Sequence, residues 1–163
     1  MKIVVLFLIT IFMFILDVSV LPFFTINGYY PSLLSLFFFI YSLNNDKVDI
    51  FCFSILVGFF QDVFFYNGFG INILLNLLLG ILVYYLLKRY STSKHIISIF
   101  FVICAYVLKS VFIFMYLFLL YGLKLELNQI LYEIIYAFIV LLVIYPLLNW
   151  LFKSKLFKKV LEF

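Results

Sequence analysis

Long, nearly uncharged apolar runs are the feature that most limits how this chain can fold. Residues 96–121 carry one charge, Lys109, and residues 3–22 carry one, Asp17. An α-helix needs about 20 apolar residues to cross the hydrocarbon core of a bilayer. The chain of 163 residues is 69% hydrophobic and 11% charged. Soluble domains average about 45–50% apolar and about 25% charged residues. So few charges do not cover a surface in water. That excludes a soluble enzyme, a disordered chain and a secreted disulfide scaffold, and leaves an integral membrane protein.

Breaks between the runs divide the sequence into six predicted spans. They cover residues 3–22, 31–43, 48–66, 71–87, 96–121 and 130–152, within one transmembrane domain. The first run is longer than a signal-peptide core and has no Ala-x-Ala site after it, so it reads as a retained helix. Pro31 suits a first helical turn, and the second span, at 13 residues, is short for a full crossing. Asn67-Gly68-Phe69-Gly70 reads as a tight turn joining spans three and four. The pattern lacks the polar–apolar alternation of barrel strands, so the expected fold is an all-α bundle.

Charge sets the expected orientation. With the N-terminus inside, Lys2, Lys47, Lys88, Arg89, Lys94, Lys153, Lys155, Lys158 and Lys159 share one side, and only Lys124 faces the other. That asymmetry predicts both termini in the cytoplasm of a bacterial plasma membrane. The basic tail fixes orientation or touches anionic lipids; aromatic residues read as interface and lipid contacts, not as a nucleic-acid surface.

Ionisable groups at membrane depth face a protein interior or a wet cavity more often than lipid. Asp17, Asp62, Asn76 and Lys109 are therefore the candidate polar site, with Lys109 as the cation and Asp62 or Asp17 as its counter-charge. The plainer alternative is that each snorkels to the interface, and for Glu133, in the first turn of span six, that alternative is preferred. Asn72 and Asn76 share a face of span four by their i, i+4 spacing and suit hydrogen bonding to Gln61 and Asp62. Gly58 and Gly80 permit close helix contact. Cys52 and Cys104 read as packed hydrophobes and His95 as a juxtamembrane polar residue. No metal, cofactor or catalytic constellation is indicated.

The segment Gly58-Phe59-Phe60-Gln61-Asp62, followed by Gly68-Phe69-Gly70-Ile71-Asn72, resembles the signature of MreD-type rod shape-determining membrane proteins. Length, the six-span layout and Pro31-Ser32-Leu33-Leu34 fit the same pattern. Two departures stand out: that family often has Asp where Ser32 stands, and the last two spans match by hydropathy alone. The resemblance implies a fold similar to the substrate-binding subunits of energy-coupling-factor transporters. It implies a non-enzymatic scaffold of cell-wall elongation that binds a single-span MreC-like protein. It further links such a protein to an actin-like filament protein and a glycosyltransferase–transpeptidase pair. By carry-over, Gly58, Gln61, Asp62, Gly68, Gly70 and Asn72 shape the outer end of the hairpin of spans three and four. The alternative is a vitamin-binding transporter subunit. It needs surfaces of small residues for docking a coupling subunit, which a chain with Ala105 and Ala137 as its only alanines supplies poorly.

Overall fold

The computed structural model describes residues 2–25, 30–64, 70–90, 95–122 and 127–153, and all regular structure within them is helical. Helix α1 (Lys2–Ile15) runs on through a π-turn at Leu16–Val20 and a 3-10 turn at Leu21–Phe24. It is followed by α2 (Leu33–Asn44), α3 (Lys47–Phe64), α4 (Ile71–Tyr90), α5 (His95–Tyr121) and α6 (Leu127–Lys153). Val4–Phe24, Ile71–Arg89, Ile96–Leu120 and Ile130–Leu148 are long and apolar enough to cross a membrane. The chain is thus a multi-pass membrane-type helical bundle.

The second predicted span differs most from expectation. Pro31 is not its first helical residue: the helix begins at Leu33, with Ser32 as N-cap, its hydroxyl accepting from the Ser35 N–H. The 12 residues of α2 span only about 18 Å at 1.5 Å per residue, less than the hydrocarbon thickness. This short helix is the centre of the bundle, packing against α1, α3, α4, α5 and α6. Leu34, Leu36, Phe37, Phe38, Phe39 and Ile40 are each 0% exposed. An all-round apolar helix has no face for water and is stable only when surrounded. Its two serines do not break the rule: Ser42 bonds back to the Phe38 carbonyl within the helix, and Ser35 accepts from side chains of the surrounding helices.

Packing around α2 is aromatic. Phe53 of α3 lies edge-on to Phe37, with ring centres 5.6 Å apart, and 4.4 Å from the Tyr41 ring. Helices α3 and α4 approach so closely that a Cβ on Gly58 would lie 2.4 Å from the Ile73 Cα. That contact needs glycine on steric grounds. At Gly80 the obstruction is the Phe38 ring, 2.7 Å from the same hypothetical atom. On the outside, Phe100, Leu119 and Val143 of α5 and α6 stand exposed, as side chains in contact with lipid do. Predicted span three ends at Phe64 as helix; residues 65 and 66, Gly68 and most of the predicted turn lie outside the described residues.

Candidate functional site

Two carboxylates are placed at two helix N-termini. Asp17 lies in the π-turn of the first span and is 0% exposed. Such a turn rotates the side chain out of the ordinary helical register. Its Oδ1 accepts from the Leu33 N–H at 2.6 Å, and its Oδ2 from the Leu34 N–H and the Ser32 hydroxyl, both at 3.0 Å. Asp62 repeats the device near the end of α3. Its Oδ2 accepts from the Gly70 N–H at 2.9 Å, and its Oδ1 from the Asn72 N–H at 2.8 Å and the Asn72 side-chain amide at 3.0 Å. The first turn of any helix carries unpaired N–H donors and a partial positive charge, so a carboxylate there is favourable on both counts. Gly70 has φ +96°, a backbone conformation that side chains resist, and this brings its N–H onto Asp62.

Lys109 occupies the middle of the bundle, 3% exposed. It neither snorkels nor pairs directly with Asp17 or Asp62, as the sequence suggests it should. Its three protons go to neutral oxygens: Ser35 Oγ at 2.9 Å, Gln61 Oε1 at 2.7 Å and Asn76 Oδ1 at 2.7 Å. The carboxylates are engaged at the helix ends, which removes them as close counter-ions. One ammonium therefore ties α5 to α2, α3 and α4. Gln61 extends the tie, donating to Ser35 Oγ at 2.7 Å and Ser32 Oγ at 3.2 Å while accepting from Asn76 at 3.0 Å.

Helix α6 joins through Glu133, a residue expected to snorkel. Its Oε1 accepts from the Tyr106 hydroxyl at 2.6 Å and from Ser110 at 3.0 Å. Tyr106 in turn accepts from the Ser32 N–H at 3.1 Å. A half-buried carboxylate with two good donors has no reason to reach for the interface. Ser32, Ser35, Tyr106 and Ser110 are thus members of the network that sequence reasoning passed over. Their spacing was available as a signal: Tyr106, Lys109 and Ser110 lie i, i+3 and i+4 on one face of α5. Ser32, where the resemblance favours Asp, keeps a place in the network by donating to Asp17.

The network borders a partly open cavity of about 150 Å³, lined by Ser35, Gln61, Asn72, Tyr106, Lys109 and Glu133, among others. Gly58 serves the close α3–α4 contact, whereas Gly70, at the turn, opens onto a separate apolar cavity of about 390 Å³. Among the described residues, no group of three or more His, Cys, Asp or Glu side chains is placed to hold a metal ion. Cys52 and Cys104 are unpaired thiols.

The family model for rod shape-determining protein MreD matches residues 1–155. The chain belongs to the MreD family. Membership makes it a non-enzymatic membrane protein with a general role in rod shape and in the elongation machinery. Searches of curated proteins and of solved structures give no match. In this MreD family chain the hydrogen bonds of the Lys109 and Gln61 side chains among the described residues run to residues outside their own helices.

Proposed function

We propose that this chain is a scaffold subunit of the cell-wall elongation machinery that docks a single-span MreC-like protein in the bacterial plasma membrane. The observation that carries the reading is the family match over residues 1–155. The proposed layout is one domain of six crossings with both termini cytoplasmic, similar to the substrate-binding subunits of energy-coupling-factor transporters. Its support is the nine-to-one distribution of basic residues about the predicted spans. In this layout α2 crosses with the help of the non-helical residues before it. The large apolar side chains left exposed on α5 and α6 suit both lipid and a partner helix. An actin-like filament protein and the glycosyltransferase–transpeptidase pair belong to the same proposed assembly.

The test is capture in mild detergent from cells co-expressing the chain with a single-span MreC-like protein. A stable complex is expected, and recovery of the chain alone at normal levels overturns the reading. Lys109→Ala separates two roles of the polar centre. Normal level with lost capture assigns it to binding; loss of both assigns it to holding the bundle. The vitamin-binding alternative draws on the cavity, but about 150 Å³ is small against the roughly 300 Å³ or more of typical ligand pockets. A vitamin retained at stoichiometric occupancy in native mass spectrometry would decide for that alternative.

A further inference from the structure

Where α3 begins and α4 ends, two cations are held against one pair of tyrosines. Lys47 Nζ donates to the Tyr85 hydroxyl and lies 4.3 Å from the Tyr85 ring centre and 5.8 Å from that of Tyr84. Lys88 Nζ, one turn further along α4, lies 6.0 Å from the same Tyr84 ring. The two rings stand nearly perpendicular, with centres 5.7 Å apart. A ring face attracts an ammonium through its quadrupole, so two ammonium groups share a platform that their mutual repulsion opposes. Arg89 adds a third cation at the same helix end.

Helix dipoles do not account for this cluster. Lys88 and Arg89 are in the last turn of α4, where a cation is favoured, but Lys47 opens α3, where it is disfavoured. Nor does a carboxylate neutralise it. Among the described residues, Lys47, Lys88 and Arg89 make no ion pair with Asp46, Asp49 or any other acid, and Asp49 lines a separate cavity with Leu6 and Phe7 of α1. The Tyr85 hydroxyl accepts from Lys47 and donates to no described residue, so its proton is available. All three cations are exposed. Leu78 and Leu82 lie on the same face of α4 as Tyr85 and stand exposed with it. Cations and a hydroxyl donor at the end of an exposed apolar track match the two parts of a phospholipid, its charged headgroup and its acyl chains. Basic sites between helices at the membrane surface bind anionic headgroups in this way.

We propose that Lys47, Lys88 and Arg89, on the Tyr84–Tyr85 platform, bind the phosphodiester of an anionic phospholipid whose acyl chains lie along Leu82 and Leu78. The leaflet is the cytoplasmic one in the proposed orientation, and the site itself does not depend on that orientation. The lipid supplies the negative charge that no carboxylate brings. A zwitterionic lipid carries its own cation beside the phosphate and adds no net charge, which makes it a poor match.

The test uses the full chain in maltoside detergent, with thermal unfolding followed as phosphatidylglycerol or phosphatidylcholine is added. Phosphatidylglycerol is expected to raise the midpoint in a saturable manner that added salt weakens, and phosphatidylcholine is not. Each basic residue at an anionic surface is worth about fivefold in binding, so the double variant Lys47→Gln, Lys88→Gln is expected to need about thirtyfold more phosphatidylglycerol. The double variant Lys158→Gln, Lys159→Gln removes the same charge from the C-terminal tail and is expected to respond like wild type. Equal responses to the two lipids, or a Lys47, Lys88 variant that responds like wild type, overturn the proposal. An equal loss in the tail variant also overturns it, by making the effect one of net charge. A shift reproduced by sodium phosphate at matched ionic strength assigns the cluster to a free anion and overturns the lipid reading. If the Lys47, Lys88 variant does not fold, Lys88→Gln alone decides: about a fivefold weaker response is expected, and an unchanged one overturns the proposal.

Discussion

Replacing Asp17 tests whether the central helix is held by its cap. Asp17→Ala removes the acceptors of the Leu33 and Leu34 N–H groups, whose residues are 7% and 0% exposed. These donors open a helix that is closed to solvent, so water is a poor substitute. A buried backbone group left unpaired costs about 1–3 kcal/mol, and two such groups cost about 4 kcal/mol together. The Ser32 hydroxyl also loses its acceptor but is free to rotate, and adds little. Asp17→Asn differs in an instructive way. Its amide oxygen serves one N–H while its NH₂ meets the other donor, so one group stays unpaired and the cost is about 2 kcal/mol. Reversible unfolding in mixed micelles, driven by a rising dodecyl sulfate fraction and followed by circular dichroism, measures both. The expected order is wild type, then Asn, then Ala. An Ala variant within about 1 kcal/mol of wild type would falsify the claim that Asp17 anchors α2.

Three further outcomes follow from the geometry. Gly58→Ala forces α3 and α4 apart at a backbone contact and is expected to cost about 3 kcal/mol, whereas Gly80→Ala meets the Phe38 ring and costs about 1 kcal/mol; unfolding in the same micelles compares them. Ser32→Asp sets a second carboxylate beside Asp17, where the present contact is 3.0 Å, and is expected to lower stability by about 4 kcal/mol through like-charge repulsion. The exchange Asp17→Ser with Ser32→Asp is expected to recover much of that loss in thermal unfolding, and no recovery would show that position 32 cannot supply the capping acid. Lys109→Met leaves Ser35, Gln61 and Asn76 facing an apolar chain and is expected to cost about 3 kcal/mol or more; protease protection in detergent reports it, and unchanged protection would refute the central role given to Lys109.

How much of this was legible beforehand differs from residue to residue. The long helices α4, α5 and α6 follow from apolar runs that end at polar clusters, and their predicted bounds differ from the observed ones by three residues or fewer. The pairing of Asn72 and Asn76 with Asp62 and Gln61 is a consequence of helical spacing across a short hairpin. The partner of Lys109 was not available in that way. Opposite charges suggest an ion pair, but each acid sits where a helix begins, and those backbone donors bind it first. Glu133 was misplaced for a related reason. Its position in the first turn of a span suggests the interface, while its partners Tyr106 and Ser110 come from another helix.

By itself, the sequence determined that this chain enters a membrane, where its helices lie and which residues are too polar to face lipid, because apolar length and charge are properties of each segment alone. Only the tertiary structure decided that the shortest helix is the central one, and that three serines and a tyrosine join Asp17, Gln61, Asn76, Lys109 and Glu133 in one network, with Asp62 and Asn72 paired apart from it. Those outcomes depend on which helix ends and side chains meet, and such meetings are set by packing across the whole bundle.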